Sequence, residues 1–92
     1  MLYPFMTLPD ETEIVHSEII EENGKEKVKV CIEKPVEGGF QAATCWIPDY
    51  IWQEVSGFDK AELDYYLELV KSLAHIIVRL ARAGGFDNAS GL

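Results

Sequence analysis

The segment from Asp59 to Ala83 has the longest regular periodicity in the chain and most limits what the rest can fold into. Its apolar residues recur at three- and four-residue spacing, which places them on one stripe of an α-helix. The stripe consists of Leu63, Tyr66, Leu67, Val70, Leu73, Ala74, Ile77, Leu80 and Ala81. Asp59 and Glu62 form a capping-box pattern at the start, and Gly84 is a typical residue for the stop. The sequence therefore predicts one long helix over 59–83 that packs on a core.

A second apolar row lies beside this stripe and consists of Tyr65, Leu69, Ile76 and Ala83. Together the two rows cover more than half of the helix circumference, which is more than one sheet can cover. A helix of about 37 Å is also longer than strands of about 23 to 30 Å. Either the N-terminal segment or the aromatic loop folds over the second row, or Tyr65, Leu69 and Ile76 form a dimer or partner surface.

The dipeptide Asn23-Gly24 predicts a β-hairpin, because it suits the positive φ angles of a type I′ turn. With these two residues as the loop, Glu22 pairs with Lys25. The further expected pairs are Ile19 with Val28, Ser17 with Val30 and Val15 with Ile32 on one face, and Glu18 with Lys29 and His16 with Cys31 on the other. This register separates apolar from charged pairs.

Three further segments have strand character. Leu2 to Leu8 predicts an edge strand, because Pro4 lacks the NH group that a central strand needs. Phe40 to Ile47 alternates between two fairly apolar sides, which fits a central strand. Tyr50 to Val55 is either a short strand or an irregular aromatic loop.

The order of elements predicts an α+β fold, with an antiparallel sheet of about four strands and one long C-terminal helix packed across one face. We expect a single domain over 1–92, with an edge strand over 1–8, antiparallel strands over 12–55, the helix over 59–83 and a mobile tail over 84–92.

The charge balance favours a basic partner. Acidic residues outnumber basic ones by 16 to 8, and the formal net charge is −8. This charge opposes the attraction on which nucleic-acid binding depends, so direct binding to nucleic acid is not expected. There are two cysteines, no export signal and no apolar run of membrane-spanning length. We therefore expect a reduced, cytoplasmic protein away from membranes.

No motif for catalysis, a metal or a cofactor stands out, and none of these is expected. His16 and Cys31 lack the further ligands that a zinc site needs. Among the aromatic residues, Trp46 is expected to pack under the helix, whereas Trp52 belongs either to the core or to a binding surface. The candidate interface residues are therefore Tyr65, Leu69, Ile76 and Trp52.

Four short motifs follow one another along the chain. They are Val30-Cys31-Ile32-Glu33, Glu37-Gly38-Gly39-Phe40-Gln41-Ala42, Pro48-Asp49-Tyr50 and Gly57-Phe58-Asp59-Lys60-Ala61-Glu62-Leu63. In this order they resemble the core of the HicB-type antitoxin domain, over about Val28 to Val70. The resemblance implies an RNase H-like sheet and helix without catalysis, which dimerises and masks a small basic RNase toxin. The opening Leu2 to Leu8 also resembles the start of small bacterial proteins with no assigned role.

The leading hypothesis is a small acidic, non-enzymatic interaction or regulatory module, antitoxin-like, which forms a homodimer or binds a small basic protein. One alternative is a mimic of nucleic acid that blocks a basic protein. It predicts aligned carboxylates, those of Glu11, Glu13, Glu18, Glu21 and Glu22. The other alternative is a small enzyme or ligand-binding protein with a pocket near Trp46, Asp49 and Trp52.

Overall fold

Six antiparallel strands and one helix make up residues 1–84, which are the residues that the computed structural model describes. They are β1 (Leu2–Thr7), β2 (Glu13–Ser17), β3 (Ile20–Glu22), β4 (Lys25–Val36), β5 (Gly39–Ile47), β6 (Trp52–Ser56) and α1 (Lys60–Ala83). The α+β class with one C-terminal helix is confirmed, whereas the count of about four strands is wrong. Apart from Gly84, the predicted tail lies outside the described residues.

The strand order is β1-β2-β4-β5-β6, and β3 pairs with the first part of β4. β1 therefore forms one edge of the sheet and β6 the other. Two features raise the strand count above four. The first arm of the hairpin is divided into β2 and β3, and the segment after Pro48 forms the strand β6 instead of an irregular loop. No helix in the described part of the chain is long and apolar enough to span a membrane.

The hairpin has the predicted register only beside its turn. Asn23 and Gly24 have φ angles of 53° and 76°, and Glu22 pairs with Lys25. Between β3 and β2 the register then shifts by one residue, so that His16 lies opposite Val30. An extra residue in one strand is a β-bulge, and it turns the following side chains to the other face.

The predicted pairs of Val15 with Ile32, Ser17 with Val30 and His16 with Cys31 are therefore wrong. Val15 lies opposite Cys31 instead. The bulge is held by Ser17, whose hydroxyl accepts a hydrogen bond from the Lys29 backbone NH at 2.9 Å and donates one to the Glu18 carbonyl at 2.7 Å. The shift directs Ile14 and His16 toward the helix.

The hydrophobic core lies between the helix and one face of the sheet. Alternate residues of β2, β4 and β5 point to this face, as strand geometry requires. The buried cluster consists of Ile14, Val28, Val30, Ile32, Ala43, Cys45, Ile47, Phe58, Tyr66, Val70, Ile77 and Ala81. All the buried helix residues come from the stripe that the sequence predicts.

The helix is fixed at both ends. Asp59 accepts a hydrogen bond from the Glu62 backbone NH at 2.8 Å, Glu62 accepts one from the Asp59 NH at 3.1 Å, and Gly84 ends the helix with a φ of 83°. The predicted caps are thereby confirmed. Glu62 lies 3.8 Å from Lys34 near the end of β4, and Arg82 contacts Glu26 near its beginning at 2.7 and 3.1 Å. The helix therefore runs antiparallel to β4.

Candidate protein-interaction face

One face of the sheet has no helix of residues 1–84 packed on it, and we refer to it as the open face. Because side chains alternate along a strand, the neighbours of the buried residues point to it. Across the paired strands these are Glu13, Val15, Lys27, Lys29, Cys31, Glu33, Pro35, Phe40, Ala42, Thr44, Trp46 and Gln53. This face combines charged, aromatic and small polar side chains. Two of the cavities lined by described residues lie on it, one toward each end of β4.

The first cavity, which we call the acidic groove, has a volume of about 490 Å³. It is lined by Thr7, Glu11, Glu13, Glu33, Pro35 and Phe40. Glu13 lies directly opposite Glu33 in the strand register, and Phe40 lies opposite Pro35. Phe40 is 66% exposed. The groove therefore joins three carboxylates to one accessible aromatic ring.

The carboxylates of the acidic groove have no cationic partner among the described residues. Lys34 follows Glu33 in the chain, but its side chain points toward the helix side, where it contacts Asp10 and Glu62. Like charges directly opposite each other on neighbouring strands are unfavourable. The fold therefore retains an unneutralised pair, Glu13 and Glu33, at one end of the open face.

A second acidic pair shows the contrast. Glu21 lies opposite Glu26 on the helix side of the hairpin. Here Arg82 of the helix forms two hydrogen bonds to Glu26, and this contact holds the pKa of the Glu26 carboxyl below its usual value. One carboxylate of this pair is thus neutralised within the chain, whereas neither Glu13 nor Glu33 has a cationic partner in residues 1–84.

The second cavity, the tryptophan pocket, has a volume of about 230 Å³ and is lined by Glu22, Lys27, Trp46, Asp49 and Gln53. The Trp46 indole NH donates a hydrogen bond to Gln53 Oε1 at 3.2 Å. Lys27 forms an ion pair with Asp49 at 3.2 Å. Both contacts hold polar side chains around the indole ring, so the pocket is mainly polar.

The prediction that Trp46 packs under the helix is wrong. Its neighbours Cys45 and Ile47 are buried in the core, so alternation turns Trp46 to the open face. Trp52 pairs with Cys45 and packs against the core on the helix side, and its buried indole NH has no hydrogen-bond partner in the described residues. Of the residues expected around one pocket, Trp46 and Asp49 come together and Trp52 does not.

The second apolar row of the helix is only partly accessible. Tyr65 is 61% exposed, whereas Leu69 and Ile76 are half-buried. Leu69 packs against the buried cluster, as do Phe5 and Met6 of β1. Tyr65 is therefore the strongly exposed residue of this row, while Leu69 is shared with the core.

Two of the candidate reactive groups of the hairpin and the central strands, His16 and Cys45, are enclosed. His16 is fully buried beside the rings of Tyr3 and Phe5, with its Nδ1 2.7 Å from the Ser17 carbonyl oxygen and its Nε2 without a partner in residues 1–84. Burial raises the pKa of the Cys45 thiol to about 12, so this group stays protonated at neutral pH. Cys31 is half-buried on the open face, with its sulfur 3.6 Å from the Thr44 hydroxyl.

The five glutamates proposed as an aligned row do not lie together. Glu11 and Glu13 line the acidic groove, but Glu18 forms an ion pair with the Met1 amino group at 3.2 Å, and Glu21 and Glu22 point to opposite faces. The sequence interpretation missed Glu33 and Phe40. They reach the groove through the pairing of β4 with β5 and through the pairing of β2 with β4, whose register the bulge changes by one residue.

Together the fold and this site define an α+β domain with one helix-covered sheet face and one open face. Comparisons with protein-family models, curated proteins and solved structures give no match to this chain. The resemblance to HicB-type antitoxins therefore stays a prediction.

Proposed function

We propose that this chain is a non-enzymatic interaction module that binds a small basic protein through the open face of its sheet. The acidic groove is the observation that carries this proposal. It presents Glu11, Glu13 and Glu33 beside an exposed phenylalanine, with no described cation to neutralise them. A chain of net charge −8 also attracts a basic partner over longer distances, which raises the rate of association.

The state of the candidate reactive side chains supports a binding role over catalysis. A nucleophile or general base must reach its substrate, and it needs a suitable pKa. His16 is fully buried, and the Cys45 thiol is both buried and held protonated. The accessible groups of the open face are carboxylates, lysines and aromatic rings, and of these the aromatic rings are typical of binding hot spots.

An antitoxin-like role is the specific form of this proposal. In that case the basic partner is a small RNase toxin, the protein acts in the cytoplasm, and a homodimer forms through Tyr65 with the adjacent parts of Leu69 and Ile76. This form rests on the resemblance of the motifs between Val28 and Val70. The acidic groove is compatible with it, because masking a basic toxin requires complementary charge.

The tryptophan pocket supports a second candidate function, the binding of a small polar molecule. Its specific feature is the Trp46 ring, which Gln53 holds in place beside the Lys27–Asp49 ion pair. A ligand screen read by NMR shifts of the Trp46 indole NH tests this alternative. A hit whose shifts disappear in Trp46→Leu supports it, whereas shifts that persist place the ligand elsewhere.

The main proposal is tested by capture and reconstitution. The tagged full chain is recovered from its native cells after nuclease treatment, and proteins present at near-stoichiometric amounts are identified by mass spectrometry. Each is then purified and titrated against the chain. We expect one basic protein whose affinity falls as salt rises, because the interaction between exposed charges is screened.

Two double variants with the same change of charge locate the binding surface. Glu13→Gln with Glu33→Gln alters the acidic groove, while Glu54→Gln with Glu68→Gln alters two exposed glutamates outside both cavities. We expect the first pair to weaken binding of the purified partner at least fivefold and the second to leave it nearly unchanged. A purified chain that binds no basic protein would overturn the proposed function.

A further inference from the structure

Granted that the partner is basic, the geometry of the acidic groove restricts how it is recognised. In antiparallel strands, directly opposite residues have Cβ atoms about 4.5 to 5.5 Å apart, and diagonal neighbours are about 7 to 8 Å apart. Glu13 and Glu33 are directly opposite, and Phe40 is the diagonal neighbour of Glu33 through its pairing with Pro35. One cationic group can therefore contact both carboxylates and the ring at the same time.

The exposed ring of Phe40 is the apolar part of this docking surface. It is 66% exposed, on a strand whose inner residues are well covered. A phenyl ring attracts a cation placed over its face, and arginine occupies such positions more often than lysine. The ring thus provides a contact that carboxylates alone do not provide, and it selects for a flat cation.

The acidic groove lies apart from the cations of the open face. Lys29 is four residues before Glu33 on β4, which separates their Cα atoms by about 13 Å at about 3.3 Å per residue. Lys27 is further away and is paired with Asp49. Residues 1–84 contain no group of three side chains placed to hold a metal ion. Within residues 1–84 the groove therefore has no complementary cation of its own.

We propose that the acidic groove binds one arginine side chain of the basic partner, with the guanidinium stacked on Phe40 and hydrogen-bonded to Glu13 and Glu33. A guanidinium is planar and presents several NH donors in a fixed arrangement, so it can donate to two carboxylates while its face rests on a ring. A lysine ammonium is a compact, strongly hydrated charge and matches the site less well. The cavity of about 490 Å³ lies within the range of about 300 to 1,000 Å³ of typical ligand pockets.

The test uses the full chain and three blocked tripeptides, Gly-X-Gly, in which X is arginine, lysine or citrulline. Citrulline has the shape of arginine without its charge. Binding is measured by NMR titration at low salt. We expect shifts centred on Phe40 and Glu33, with the arginine peptide binding at least threefold more tightly than lysine and at least tenfold more tightly than citrulline. Equal affinities for arginine and citrulline, or shifts centred elsewhere, would overturn the inference.

Matched variants distinguish the contribution of the Phe40 ring from that of any apolar side chain at this position. Phe40→Leu keeps an apolar side chain but removes the ring. Tyr65→Leu removes the other strongly exposed aromatic ring of residues 1–84, which is 61% exposed. We expect Phe40→Leu to lower the affinity for the arginine peptide at least threefold, and Tyr65→Leu to leave this affinity unchanged. The dispersion of the amide spectrum verifies that each variant is folded.

The same variants, titrated with the captured partner, distinguish the two proposals. Partner binding that is weakened by Glu13→Gln with Glu33→Gln but unaffected by Phe40→Leu supports the proposed function and contradicts the arginine site. If Phe40→Leu and the double glutamate variant both lower the affinity for the partner, the arginine site is supported. If no basic protein binds the wild-type chain, the proposed function fails irrespective of the peptide result.

Discussion

The two faces of the sheet are made from alternate residues of the same strands, but they have different chemistry. On the helix side, Ile14, Val30 and Ile32 are at most 1% exposed and pack on one continuous cluster. On the open face, their neighbours include Glu13, Glu33 and the half-buried Val15. Because adjacent positions serve different faces, stability and binding can be altered separately in this domain.

The open face is itself divided. At one end, Glu13 and Glu33 oppose each other without a described cation, and at the other end Lys27 is paired with Asp49 beside Trp46. In the second cavity Lys27 and Asp49 thus neutralise each other, whereas Glu13 and Glu33 in the first have no cationic partner in residues 1–84. This difference directs the search for a partner to the acidic groove, and it makes the tryptophan pocket the natural control.

The largest expected difference between the faces concerns two neighbours in β2. Ile14→Ala removes a buried side chain from the core and should lower the free energy of unfolding by about 2 to 5 kcal/mol, because it creates a cavity. Val15→Ala, on the open face, should lower the free energy of unfolding by less than half of that amount. Urea unfolding followed by circular dichroism measures both. If both variants lose the same free energy of unfolding, the open face is covered to the same degree as the helix side.

The second prediction concerns the bulge that assigns β2 residues to their faces. Ser17→Ala removes the hydroxyl that accepts a hydrogen bond from the Lys29 NH. We expect the free energy of unfolding to fall by about 1 to 3 kcal/mol, because the NH donor is left unsatisfied. Ser56→Ala, at an exposed position of β6, serves as the control and should change stability by less than about 0.5 kcal/mol. If Ser17→Ala changes stability as little as the control does, the Ser17 hydroxyl does not hold the bulge.

The bulge also marks the limit of what the sequence can predict. The helix from Lys60 to Ala83 and its caps are specified by local patterns within one segment, and the sequence predicts them correctly. The register of β2 depends instead on how Ser17 meets β4 in three dimensions. Nothing in the alternation of His16, Ser17 and Glu18 distinguishes a regular hairpin from one with an extra residue.

The candidate site was predictable only in part for the same reason. Glu11 and Glu13 belong to the acidic run that the sequence shows, whereas Glu33 and Phe40 join them through strand pairing. The sequence places Trp46 on the wrong face, because both sides of β5 are fairly apolar and its pattern does not decide which side is covered. Long-range pairing and helix placement, which local patterns do not encode, settle these positions.

The third prediction compares the two cysteines, one on each face. The thiolate is the reactive form of cysteine, and the Cys45 thiol is fully buried with a pKa of about 12. Cys31 is half-buried on the open face. We expect iodoacetamide at pH 8 to modify Cys31 at least tenfold faster than Cys45, which should react readily only after unfolding in urea. Peptide mass spectrometry measures both rates, and Cys31→Ser verifies the assignment. Similar rates would contradict the difference between the faces.

The smallest expected effect concerns the acidic groove without a partner. Because Glu13 and Glu33 repel each other, Glu13→Gln with Glu33→Gln should raise the free energy of unfolding by up to about 1 kcal/mol at low salt. Either single variant should give most of this gain, since the repulsion belongs to the pair. Added salt should reduce it, because exposed charges are screened. Thermal and urea unfolding at two salt concentrations measure these differences.

Glu54→Gln with Glu68→Gln is the control for this last measurement, because it changes the net charge equally at exposed positions outside both cavities. A gain confined to the Glu13 and Glu33 pair means that the fold keeps two carboxylates at a cost to its own stability. Residues retained in this way are expected at a binding site, where a partner removes the repulsion. A loss of stability would instead mean that these carboxylates serve the isolated fold, and the case for a cation from a partner would fail.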